Sequence, residues 1–177
     1  PTAGWGFQFG NGPAWDSVVI ELTYQLYSLY GKDEIIKENS EAIEKYFGYI
    51  KTRLNADGLI EIGLGDWCQT YTSAEGDYET PVEITDSLTI IDMVEKTAEM
   101  FGVIGNNAED IKQFGNYLKN SFRQKYIKNG QMTVKPQTAL SKCLQLNNFN
   151  AEEVQTAYET LLSEIKKQND HFRVGVI

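Results

Sequence analysis

Apolar residues recur along the chain at three- and four-residue intervals, the period of an amphipathic α-helix. Over residues 15–30 they fall on nearly every side (Val18, Val19, Leu22, Leu26, Leu29), which predicts one deeply buried helix, ended by Gly31 at a C′ position. A second helix is predicted over 33–54, with Ile36, Ile43, Phe47, Ile50 and Leu54 on one face and an Asp57-Gly58 turn beyond it. A third runs over 85–101, with Leu88, Ile91, Val94, Ala98 and Phe101 in step and Gly102 as its stop. The fourth, 108–126, carries the stripe Ile111, Phe114, Leu118, Phe122 and Tyr126; Asn107 and Asp110 stand at capping-box spacing before it, with Asp in the place of the usual Glu or Gln. A shorter fifth helix covers 136–146. The sixth, 151–168, starts from an Asn150/Glu153 capping box and buries Val154, Ala157, Leu161 and Ile165.

Residues 55–84 interrupt this rhythm. Gly58, Gly63, Gly65, Gly76 and Pro81 break any helix and leave a loop of about thirty residues, with a short hairpin around 59–62. Loops of that length inside a compact domain are usually functional or mobile. The pattern therefore predicts an all-α helix-hairpin array, a single domain over 1–177 with about six helices in three hairpins and one long loop at 55–84. An α/α toroid, an α-solenoid and a helical bundle share that rhythm, and periodicity does not choose among them.

Charge narrows the partners. Against 25 acidic residues stand 16 basic ones, spread without a cluster, for a net charge of −9. A phosphate backbone would be repelled, so nucleic acid is not an expected partner. No apolar run approaches the eighteen or so residues of a membrane span, so none is expected with a membrane either. A lone histidine and two distant cysteines, Cys68 and Cys143, lack metal-site spacing, and both thiols are expected to be unpaired. With no phosphate loop, serine elbow or metal-ligand pattern, no cofactor and no metal are expected. The chain starts Pro1-Thr2-Ala3-Gly4-Trp5, without Met, basic start or apolar core, and so reads as a segment of a longer polypeptide.

The candidate chemistry lies in a few positions. Trp15 follows the stretch Gly10-Asn11-Gly12-Pro13, at the mouth of the most apolar helix; Trp67 closes Gly63-Leu64-Gly65-Asp66-Trp67 in the long loop. An indole held at a loop offers a flat apolar face to the C–H side of a sugar, and an adjacent carboxylate such as Asp66 accepts hydrogen bonds from hydroxyls. The plainer alternative is that each indole packs under its loop. Glu75, Asp77 and Glu79 alternate in the same loop and could serve as acid and base or bind calcium, although a solvated acidic loop is the commoner meaning of such a run. His171, just beyond the sixth helix, either lines a site or caps the helix and interacts with its dipole.

Taken in order, these pieces resemble the catalytic domain of bacterial inverting α-L-rhamnosidases. The resemblance rests on Gly12-Pro13-Ala14-Trp15, on Tyr27-Ser28-Leu29-Tyr30-Gly31, on Gly63 to Trp67 and on Thr80-Pro81. It continues through Ala98-Glu99-Met100-Phe101-Gly102, Gln137-Thr138 and His171 to Gly175, so it covers nearly the whole chain. Asp16 and Lys32 depart from the family pattern, which commonly has Gly and Asp there. The resemblance implies part of an (α/α)6 barrel acting on rhamnose-containing carbohydrate, with Trp15, Asp66, Trp67 and His171 as substrate-binding residues. It also implies that this chain holds no catalytic residue, the general acid lying upstream of the Trp15 motif and the general base downstream of His171. Open edges of such a half-barrel are expected to pair two copies as a homodimer. Apart from the resemblance, a trehalase-like or debranching-type (α/α)6 glycosidase and a non-catalytic helical interaction domain remain open.

Overall fold

A computed structural model describes residues 12–67 and 79–175. In chain order the elements are α1 (Pro13–Asp16), α2 (Val18–Tyr30), α3 (Glu34–Lys51), α4 (Val82–Ile104), α5 (Glu109–Tyr126), β1 (Ile127–Lys128), β2 (Gln131–Met132), α6 (Gln137–Gln145) and α7 (Ala151–Lys167). Short links join α2 to α3, α4 to α5 and α6 to α7, and each pair packs as a hairpin. This is the predicted all-α array.

The helices pair by their apolar faces. Ile36, Ile43, Phe47 and Ile50 of α3 are buried, as are Ile111, Phe114, Leu118, Phe122 and Tyr126 of α5, at the spacings that place them on one side. Helix α4 is the spine of the molecule, buried on almost all sides, and it touches α1, α2, α3, α5 and α6. Its neighbours fix its direction. Lys96 pairs with Glu21 and Glu99 accepts from the Tyr24 hydroxyl, both across 75 residues, so α2 and α4 run parallel. Glu83 meets Tyr126 and Lys125 while Glu95 meets Lys119, so α5 runs antiparallel to α4. At the α4–α5 crossing a Cβ on Gly115 would lie 2.5 Å from Val94 Cγ1, and only glycine allows that approach.

Several expectations change. The helix predicted over 15–30 is broken at Ser17 into α1 and α2. Of α2 only Ile20 and Thr23 are buried; Val18, Leu22, Leu29 and Tyr30 are exposed, so an apolar surface on every side did not mean deep burial. Helix α4 begins at Val82, started by Pro81, and passes through Gly102 to end at Gly105, whose φ of 73° suits a left-handed cap. At the start of α5, Asn107 Oδ1 accepts from Glu109 N at 2.9 Å and Ala108 is the N-cap, in place of a capping box. The Asn150/Glu153 box is present: Glu153 accepts from Asn150 N at 2.7 Å and holds Arg123 of α5 with both oxygens at 3.0 Å, which lowers the carboxyl's pKa. Near 59–62 there is a single antiparallel bridge, Leu54 to Ile60, rather than a hairpin. A hairpin absent from the prediction joins β1 to β2 through Asn129 and Gly130, both at positive φ. Cys143 is free and buried, its thiol pushed up to about 12 by burial, whereas Cys68 lies outside the described residues. No helix among the described residues is long and apolar enough to cross a membrane.

Candidate functional site

Because α2 and α4 run parallel, the short α1 carrying Trp15 stands at the end of the molecule where α4 begins, and α1 packs on α4. The loop between α3 and α4 is at that end too. Its close approach to α1 is set by two backbones: a Cβ on Gly12 would lie 2.5 Å from Gly63 Cα, so glycine alone permits the contact. Gly12 is three residues before Trp15 and Gly63 four before Trp67, so the two tryptophan motifs meet through their glycines.

Asp66 is fully buried and joins three parts of the chain. Its Oδ2 accepts from the Thr138 hydroxyl at 2.6 Å, in the first turn of α6. Its Oδ1 accepts from Gly175 N at 2.9 Å, in the segment after α7. That segment is fastened to α6 as well, since Gln137 donates to the His171 carbonyl at 3.3 Å and accepts from Arg173 N at 3.0 Å. Trp67, next to this knot, stays 38% exposed. The His171 ring is exposed, with Nδ1 2.8 Å from the Asn169 carbonyl, a local contact beyond the end of α7. The structure thus brings the main chain of the His171 segment to Asp66, while the ring itself stays at the surface. Of the loop carboxylates, Glu79 pairs with Arg173 at 2.9 Å; Glu75 and Asp77 lie outside the described residues.

The first two turns of α4 contribute residues that the sequence pattern passed over. Glu83, Asp86 and Ser87 share one helix face and are buried. Glu83 accepts from Asn55 Nδ2 at 2.6 Å, pairs with Lys125 at 2.7 Å and takes the Tyr126 hydroxyl. Ser87 Oγ accepts from Ile60 N at 3.0 Å, and Asp86 Oδ2 from Ile62 N at 2.8 Å. Three side chains of one helical turn thus grip residues 55–62 of the loop. Burial pushes the Asp86 carboxyl up to about 7, and the Glu61 and Asp16 carboxylates act in the same direction against the Ile62 and Gly63 N–H groups. The only sequence signal was negative: polar residues where the helical stripe called for apolar ones.

Further along the parallel helices lies a charged layer. Lys96 pairs with Glu21 and, at 3.0 Å, with Asp92. Lys142 of α6 faces Asp92 and Asp66; burial lowers its pKa while those carboxylates oppose the shift. Among the described residues no three His, Cys, Asp or Glu side chains are grouped so as to hold a metal ion.

Residues 1–177 match the family model of the bacterial alpha-L-rhamnosidase 6 hairpin glycosidase domain. Among curated proteins, none matches the chain. Three solved structures are similar. The alpha-L-rhamnosidase from Dictyoglumus thermophilum has a TM-score of 0.84 and 26% identity, over 97% of this chain and 20% of that one. Native alfa-L-rhamnosidase from Aspergillus terreus gives 0.83 and 22%, over 96% of this chain and 21% of that one. The Streptomyces avermitilis enzyme, complexed with L-rhamnose, gives 0.80 and 18%, over 91% of this chain and 15% of that one. The chain therefore spans about a fifth or less of the length of these structures. Three helix hairpins with their long connections gathered at one end, and a family match from the first residue to the last, lead to one assignment: the chain belongs to the bacterial α-L-rhamnosidase six-hairpin glycosidase family.

Proposed function

We propose that this chain is part of a glycoside hydrolase that cleaves terminal α-L-rhamnosides with inversion, and that it supplies walls of the sugar pocket. Trp15, Trp67, Asp66 and His171 are the residues assigned to that pocket, and the catalytic acid and base lie in other parts of a longer polypeptide. The observation that carries the reading is the meeting of the Trp15 motif, the Asp66–Trp67 loop and the 171–175 segment at one end of the helices. Rhamnose has a methyl group where most hexoses have a hydroxymethyl, and an indole face suits it. Trp67 is exposed beside polar groups, as such a wall requires. Asp66 gives both oxygens to Thr138 and Gly175, so its part is to fix Trp67 and the 171–175 segment in place. An inverting step needs two carboxyls about 6.5–9.5 Å apart, one protonating the leaving oxygen and one activating water. We further propose that the exposed faces of α2 and α7 pair two copies of the chain.

The test is a calorimetric titration of the chain with L-rhamnose, with D-glucose in parallel. Saturable binding of L-rhamnose that weakens in both Trp15→Ala and Trp67→Ala supports the pocket. Equal heats for the two sugars, or binding indifferent to both substitutions, rejects it.

A further inference from the structure

A fully buried carboxylate is an unusual occupant of the central helix of a molecule. Desolvation makes it costly, and an apolar side chain of similar size would usually be no worse for stability. Asp86 occupies such a position. It faces Asp16 of α1, Glu61 of the loop and Tyr46 of α3. Its Oδ1 and the Tyr46 hydroxyl, both buried, take no hydrogen bond among the described residues, so neither is there to satisfy the other. What Asp86 does engage is backbone: Ile62 N at 2.8 Å, with the neighbouring Gly63 N–H also favouring its charged form. That same peptide is the one against which Gly12 packs. Asp86 therefore touches a place where the two tryptophan motifs abut.

We propose that Asp86 is a positioning residue of the sugar site: through the Ile62–Gly63 peptide it sets where Trp67 stands relative to Trp15. This rests on the reading of the two tryptophans as pocket walls. The chemistry gives the role a signature of its own. An ionised carboxylate holds N–H donors more strongly than a neutral one. The grip on the loop therefore tightens as Asp86 loses its proton, although ionising a buried acid weakens the fold as a whole. A side chain that merely filled space would move stability alone.

The experiment follows the backbone amides of Ile62 and Gly63 and the indole N–H signals of Trp15 and Trp67 by nitrogen-15 NMR from pH 5 to 9. Wild type, Asp86→Asn and Asp86→Ala are compared, and each is titrated with L-rhamnose. In wild type the two amides and the Trp67 indole are expected to shift together, with a midpoint near the value of about 7 to which Asp86 is raised. Asp86→Asn, which can still accept from Ile62, should lose that titration and keep rhamnose affinity within about twofold; Asp86→Ala should lose about tenfold, the worth of one hydrogen bond. Should the alanine variant fail to fold, the wild-type and asparagine titrations decide alone. A Trp67 indole that stays fixed while the amides titrate overturns the proposal, and so does a folded alanine variant that binds as tightly as wild type. If wild type binds no rhamnose at all, the sugar reading fails, and the coupled amide and indole titration still decides whether Asp86 positions Trp67.

Discussion

Thr138 Oγ1 stands 2.6 Å from Asp66 Oδ2, a hydrogen bond that closes 72 residues of sequence and fixes the start of α6 to the loop before α4. Asp66 is wholly buried, so the donor offsets part of the cost of desolvating the carboxylate. Thr138→Val keeps the shape and removes the donor, and should cost about 1–3 kcal/mol. Ser141→Ala, which removes only an exposed hydroxyl's bond to the Thr138 carbonyl, should stay within about 0.5 kcal/mol. Urea unfolding of both variants checks the pair; equal midpoints would show that the Thr138 bond carries no weight.

Where the sequence was readable, one rule worked: an apolar stripe at helical spacing identifies a helix. Helices α3 and α5 are of that kind, and each lies within a few residues of its prediction; α7 also covers its predicted range, but of its expected buried stripe only Ala157 is buried, Leu161 and Ile165 are half-buried and Val154 is exposed. Helix α2 misled because apolarity on every side states what a helix could bury, not what is there to cover it; Leu22 is 54% and Leu29 73% exposed. Helix α4 starts before the predicted position because Pro81 opens it at Val82; Glu83 is held by the Asn55, Lys125 and Tyr126 side chains and Asp86 and Ser87 by the Ile62 and Ile60 N–H groups, distant partners that no local pattern announces. Its end was placed early because Gly102 is tolerated within a helix, while Gly105 supplies the left-handed turn. Asn129-Gly130 did announce a hairpin, but two-residue strands are too short to show an alternating period. At the site, Trp15 and Asp66-Trp67 were legible as motifs. That Asp66 would meet Thr138 and Gly175 was not, since those contacts exist only once the helices have packed.

The activity of the isolated chain provides a second prediction. Glu79, one of three alternating loop carboxylates, is held by Arg173 at 2.9 Å, an arrangement suited to fastening the loop. The chain alone should therefore release nitrophenol from p-nitrophenyl α-L-rhamnoside no faster than buffer. Turnover that disappears on changing Glu75, Asp77 or Glu79 would locate the acid and base in this loop and defeat the expectation.

The pH dependence of stability has a definite sign. Burial raises Asp86 from the ordinary value of 3.8 to about 7. Between those values the folded chain holds a proton that the unfolded chain releases, so this group's contribution to stability falls as pH rises from about 4 to about 7. Below pH 4 the group is protonated in both states and contributes no difference. Asp86→Asn should match wild type at pH 4 and exceed it at pH 8, by on the order of a few kcal/mol. Urea midpoints at pH 4, 6 and 8 measure this. A gap between the two proteins that does not change with pH would mean that Asp86 titrates in the ordinary carboxylate range.

The outermost helices provide the last prediction. Val18, Leu22 and Leu29 lie on one face of α2, within about a ninth of a turn of each other at 3.6 residues per turn, and all three are exposed. On α7, Val154, Tyr158 and Leu162 form a second exposed row at four-residue spacing, with Tyr158 49% exposed. These helices belong to the first and third hairpins, so among the described residues each row is a side without a neighbouring hairpin. Apolar surface left in water costs about 25 cal/mol per Å², so a few hundred Å² amount to several kcal/mol, comparable to the stability of a small domain. Continuous rows of this kind normally mark interfaces. Two copies related by a two-fold axis could set α2 of each against α7 of the other and cover both rows at once. The chain is therefore expected to sediment as a dimer at micromolar concentration, and Leu22→Glu or Tyr158→Glu should each shift it to monomer without unfolding it. A wild-type chain that stays monomeric up to about 100 μM, a concentration at which even an affinity of −6 kcal/mol would show as partial association, would rule the dimer out.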